Sequence, residues 1–249
     1  MYQILHLWTR ITDLYIVFLW LLTNFKMAFT RSQRFASPVL YHCKAISASY
    51  HQGDDRFPET SRGQQCCCNA LLALCVGSSK PPQSWQTADL NTILQNGDHL
   101  YNSLAHSGPL LVSQLPNTVT VNQQCYNVDL SDSITGPFEG TCTASDLYHN
   151  LLDGLKKCFS IQPLAFFVCR GYTIALLKSG QDYALVDSHS RNKQGIADSD
   201  GTAVTFMYRS WTSLYNGILQ LLNSLGIRGQ EPYELVPARI TSVSTMTTN

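Results

Sequence analysis

Between residues 164 and 187 three apolar runs of strand length follow one another with only short breaks: Leu164–Cys169 (LAFFVC), Tyr172–Lys178 (YTIALLK) and Tyr183–Asp187 (YALVD). Ser179-Gly180-Gln181-Asp182 reads as a hairpin turn between the last two, so this stretch is predicted to be antiparallel sheet. Helical patterns stand on either side. Cys66–Val76 (CCCNALLALCV) reads as a short apolar helix, ended by the Gly and two Pro of GSSKPPQS. Thr87 can cap a second helix, through about Asn96, that buries Leu90, Ile93 and Leu94. Thr143 and Asp146 form a helix-start signal, and Leu147, Leu151, Leu155 and Cys158 continue one face behind it. A last helix from about Tyr208 to Leu225 is expected to bury Trp211, Leu214, Ile218, Leu221 and Leu222. One or two strands fall within Val119–Leu130, and residues 188–202 read as a polar loop. Helices first and antiparallel strands late predict an α+β fold.

Composition narrows the class of function. Lys+Arg and Asp+Glu each number 17, and no basic stripe is present, which argues against nucleic-acid binding through the phosphate backbone. The hydrophobic fraction of 44% is too high for extensive disorder. Leu14–Leu22 (LYIVFLWLL) has fewer than half of the roughly 20 apolar residues that a stable membrane span needs. Residues 1–27 are therefore expected to form an apolar extension outside the fold, with membrane association left open as an amphipathic or signal-anchor role. The domain is expected over 28–235, followed by a flexible tail over 236–249. Nine cysteines, odd in number and without framework spacing, point to reduced thiols in the cytoplasm or nucleus, and the single triplet lacks the second pair a structural metal site wants.

Three features can do chemistry together. A cysteine at a helix start gains from the partial positive charge and free N–H groups there, which favour a thiolate. On a helical wheel Cys67 and Cys68 project toward the face of Leu71, Leu72, Leu74 and Cys75, whereas Cys66 points the other way with Asn69, Ala70 and Ala73. Small residues on that side leave room for a cleft wall, so Cys66 is the reactive candidate and its neighbours are core. Asp187-Ser188-His189 ends an apolar strand, where residues two apart share a side. The carboxylate can there orient an imidazole toward a thiol. Gln52, in a Gly-containing loop ahead of the helix, supplies an amide N–H for a tetrahedral oxyanion. His51 is the rival base, with only Asp54 or Asp55 to orient it. Arg191 and Gly195 follow the histidine, in either a groove lining or a solvated turn.

These residues resemble a known family. Gln52-Gly53-Asp54 with Phe57, then Gly63-x-Gln65-Cys66-x-x-Asn69, then Trp85 with Leu90, Leu94, Gly97, Leu100 and Tyr101, and finally Tyr183–Arg191 (YALVDSHSR) with Gly195 occur in family order over roughly residues 45–225. The set is similar to the ubiquitin-specific protease domain at the N-terminus of the herpesvirus large tegument protein. The resemblance implies a papain-like cysteine protease fold, with a nucleophile helix packed on a mainly antiparallel sheet. It implies Cys66 as nucleophile, His189 as general base and acid, Asp187 as orienting carboxylate and Gln52 as oxyanion donor. It also implies an isopeptidase that cleaves ubiquitin or NEDD8 conjugates after the Gly-Gly end of the modifier, without a cofactor. Two alternatives stay open: an inactive module that only binds ubiquitin, and a Cys-His-Asp acyltransferase. The latter class usually runs Cys, His, Asp, whereas here Asp precedes His.

Overall fold

A computed structural model describes residues 40–104, 106–138 and 148–243. The chain divides into two compact units at Val39/Leu40, and every described residue belongs to the second. Nine strands make one sheet: β1 Lys44–Ser47, β2 Thr118–Val121, β3 Gln124–Leu130, β4 Ile134–Pro137, β5 Leu164–Cys169, β6 Tyr172–Ser179, β7 Asp182–Arg191, β8 Thr202–Tyr208 and β9 Pro232–Val243. The order is β1-β8-β7-β6-β5-β9-β3-β2, with β4 also paired to β9, and all the named strands pair antiparallel. Among the described residues four α-helices complete it: α1 Cys66–Ser79, α2 Thr87–Ser103, α3 Leu151–Ile161 and α4 Trp211–Ser224.

The apolar runs are continuous because the sheet is covered on both faces. Along β5, Leu164 and Phe166 join one core with α1 and α2, while Ala165, Phe167 and Cys169 join another with α3 and α4. The same alternation runs through β6, where Ala175 and Leu177 face α1 and Ile174 and Leu176 face α3 and α4. α1 is buried over its first ten residues, so it is apolar all round rather than amphipathic.

The α+β expectation holds, with four local corrections. α2 runs seven residues past Asn96 to Ser103; Thr87 is its first helical residue, and the Asp89 carboxylate accepts from the Gln86 N–H at 2.7 Å to close its start. Residues 202–208, expected as the end of a loop and the start of a helix, are strand β8, and the last helix begins at Trp211 behind a Ser210 cap. β7 continues through His189 to Arg191 instead of ending at Asp187, so the strand absorbs part of the expected loop. Finally, residues 236–243, placed in a flexible tail, form most of β9 and pair with β5 and β3 near the middle of the sheet. Thr143, Asp146 and Leu147 lie outside the described residues; α3 starts behind Asn150, whose side chain accepts from the Asp153 N–H at 3.0 Å. No helix among the described residues is long and apolar enough to cross a membrane.

Candidate active site

Cys66 is the first residue of α1, beneath the β5–β6 turn, and only 4% of it is exposed. No side chain caps this helix end and its first turn carries no acidic residue, so the free N–H groups favour negative charge there. Its Sγ donates to the Gly171 carbonyl oxygen at 3.7 Å and lies close enough to the His189 imidazole and to Thr173 for both to act on its charge. Burial opposes a thiolate, but the His189 hydrogen bond and charge, with Thr173, outweigh it and hold the thiol below its ordinary value. Cys67 and Cys68 behave oppositely. Both are wholly buried in the core under the sheet; burial pushes Cys67 far up and Cys68 up to about 12.

The wheel therefore separates the three thiols as expected, but its reason needs correcting. Asn69, Ala70 and Ala73 do not face an open cleft; all three are buried. Asn69 lies against Gly97 of α2, where any Cβ would collide with its side chain. What sets Cys66 apart from its neighbours is its place at the helix end rather than a slender helix face.

β7 carries the imidazole. His189 Nδ1 donates to Asp187 Oδ1 at 2.6 Å, and the His189 backbone N–H donates to the same oxygen at 2.9 Å. Asp187 is completely buried, and its second oxygen accepts from Arg191 Nε at 2.6 Å. Burial alone raises a carboxyl, yet the Arg191 and His189 charges hold Asp187 well below the usual carboxylate range. Burial likewise disfavours imidazolium, and the Asp187 charge and hydrogen bond reverse this, raising His189 to about 9. The Tyr172 ring packs on His189 with centroids 4.8 Å apart.

Gln52 is also buried, in the segment ahead of α1. Its carbonyl oxygen accepts from the Ser188 hydroxyl at 2.8 Å and the Asn69 amide at 3.4 Å, and its backbone N–H donates to Ser188 O at 2.9 Å. With the oxygen so engaged, Nε2 must be the donor end; one N–H goes to Gly63 O at 3.2 Å and one remains. His51 stands close enough to sense the Asp54 and His189 charges, but its Nδ1 is taken up accepting from the Gly53 N–H at 3.0 Å. Two grooves share Glu234 in their linings. One, of about 470 Å³, is lined by Tyr148, Val168 and Arg170; the other, of about 360 Å³, by Leu111, Leu130 and Asp132.

The structure thus brings Cys66, His189, Asp187 and Gln52 together. Sequence reasoning placed Arg191 in a loop, whereas it is 2% exposed and ion-paired. The signal available was strand alternation, which puts residues 187, 189 and 191 on one side of a regular strand, although β7 departs from regularity between Asp187 and Arg191. Tyr172, Thr173 and Ser188 gave no pattern of their own.

The sequence profile of the family described as "Herpesvirus tegument protein, N-terminal conserved region" matches residues 47–235. Among solved structures, the fold matches the ubiquitin-specific protease encoded by murine cytomegalovirus tegument protein M48, solved in complex with a ubiquitin-based suicide substrate. The TM-score is 0.69 at 17% identity, over 83% of this chain and 90% of that one. No curated protein matches the chain in sequence. With a profile that spans most of its length and the papain-like protease fold of M48, the chain belongs to the herpesvirus tegument protein N-terminal region family.

Proposed function

We propose that the protein is a cysteine isopeptidase that removes ubiquitin or a ubiquitin-like modifier such as NEDD8, cutting after the modifier's C-terminal Gly-Gly. The observation that carries this reading is the His189 imidazole bonded to the Asp187 carboxylate, near enough to the Cys66 thiol at the start of α1 to lower it, with the Gln52 amide held by Ser188. The thiolate attacks the terminal glycine carbonyl, and Gln52 Nε2 and the α1 N-terminus stabilise the oxyanion. His189 then gives its proton to the departing lysine amine, leaving a thioester on Cys66. The neutral imidazole takes a proton from water, which attacks the thioester and releases the modifier acid. No step requires a cofactor. The fold shared with M48, whose printed partner is ubiquitin-based, supports the substrate class. The protein works in a reducing compartment, where the thiol stays free.

The test is covalent capture by ubiquitin and NEDD8 probes that carry a C-terminal thiol-trapping group. We expect an adduct with the full chain, with Cys67→Ala and with Cys68→Ala, and none with Cys66→Ala. The faster probe names the modifier. A folded protein that forms no adduct with either probe overturns the reading.

A further inference from the structure

The deepest charge in the site is the least accessible. By strand alternation Asp187 lies on the side of Tyr183 and Leu185, within the layer covered by α3 and α4, and it is completely buried. An ionised carboxylate in such surroundings persists only when its oxygens are fully engaged and its charge is balanced. Oδ1 is taken twice by His189, and Oδ2 is taken by Arg191 Nε at 2.6 Å. The guanidinium is itself buried, so the pair is not a surface ion bridge screened by water.

The backbone is bent to make this contact. Asp187 pairs with Val204 and Arg191 with Thr202, so β7 spends four residues where β8 spends two, and Ser188, His189 and Ser190 bulge out of the ladder. Gly201 opposite the bulge lets it close, since a Cβ there would sit 2.6 Å from the Arg191 N and O. One aromatic ring spans both cationic groups: Tyr172 packs on His189 and lies 6.0 Å from the Arg191 guanidinium.

Resting on the isopeptidase reading above, we infer that Arg191 is a positioning residue that sets the working charge of the site: it offsets part of the Asp187 charge, so the imidazole is held in place yet releases its proton to the leaving amine. A buried carboxylate facing only the imidazole would keep that proton. Several other ionisable groups face the site. His51 approaches from the segment before α1, Tyr172 from β6 and Tyr208 from β8, and Cys66 at the start of α1 has Cys67 and Cys68 behind it. Among these described neighbours Arg191 is the one permanent cation.

The experiment compares the full chain with Arg191→Gln, which keeps a hydrogen-bond donor but no charge, and Arg191→Lys, which keeps the charge. Two pH profiles are recorded: alkylation of Cys66 by iodoacetamide, read by mass spectrometry, and kcat/KM on a fluorogenic ubiquitin C-terminal amide. Loss of a nearby positive charge disfavours the thiolate and favours the imidazolium. Both limbs are therefore expected to move to higher pH by about one unit in Arg191→Gln, with turnover down about tenfold or more. Arg191→Lys should return both limbs to within a few tenths of a unit. A folded Arg191→Gln with wild-type limbs overturns the inference, because a merely structural residue leaves them in place. If Arg191→Gln does not fold, limbs displaced by a full unit in Arg191→Lys overturn it instead. Alkylation needs no modifier, so a normal Arg191 effect on Cys66 with no turnover would sink the substrate reading alone.

Discussion

At the residue scale, what decides reactivity is which polar neighbours each group has, and these can be altered one at a time. Ser188 and Asn69 hold the Gln52 oxygen, so Ser188→Ala should lower kcat roughly tenfold with little change in KM, and Gln52→Ala should lower it by about 10²–10³. Steady-state kinetics on a ubiquitin amide separates the two constants. The pH dependence has a definite sign. His189 is raised on folding from 6.5 to about 9, so its stabilising contribution is complete below about 6.5 and is lost as pH climbs through 9. Asp187 is depressed, so its contribution is present above 3.8 and is lost only as pH falls through its lowered value. Activity should accordingly hold through neutral pH and fall above about 9 as the imidazolium of the pair is lost. Of these residues Cys66, His189, Asp187 and Gln52 were legible in the sequence, because each belongs to a short motif with a chemical reason for its spacing. Ser188 was not. Its role comes from a contact across 136 positions, and no local pattern encodes that.

At the element scale, strands buried on both faces read clearly and the boundaries of everything else did not. β5, β6 and the first half of β7 announce themselves as apolar runs, since two helix layers remove both faces from water. β8 was missed although Ala203, Val204, Phe206, Met207 and Tyr208 are buried, because Thr202-Ala203-Val204-Thr205 shows no clear alternation and the run borders a helix signal. The end of α2 was missed because Gly97 looks like a stop. It is instead the place where α2 meets α1, with Asn69 filling the space of the absent side chain. Gly97→Ala should therefore destabilise the protein by about 1–2 kcal/mol, the cost of overpacking exceeding the gain in helix propensity. By displacing Asn69 it should also slow probe capture. Thermal unfolding and capture rate measured on the same variant test both effects.

At the scale of the whole molecule, β9 is the strand on which the sheet depends. It pairs with β5 along one edge and with β3 and β4 along the other, so it joins the β5–β8 block to the β2–β3 hairpin. A chain ending at residue 235 should show no cooperative denaturation and no probe capture, whereas one ending at 243 should keep both. Over residues 236–243 the expected tail was a misreading of composition: Thr241, Ser242 and Val243 look like linker, yet their backbones pair with β3, while residues 244–249 lie outside the described residues. The placement of the reacting groups along the chain has a consequence for synthesis. The thiol and the amide beside it leave the ribosome early, on the segment that includes α1, while the imidazole, carboxylate and guanidinium arrive together on one late strand. Until that strand zips into place, the nascent cysteine has no base beside it and differs little from any other thiol. The pairing that lowers the Cys66 thiol therefore cannot form before that strand does.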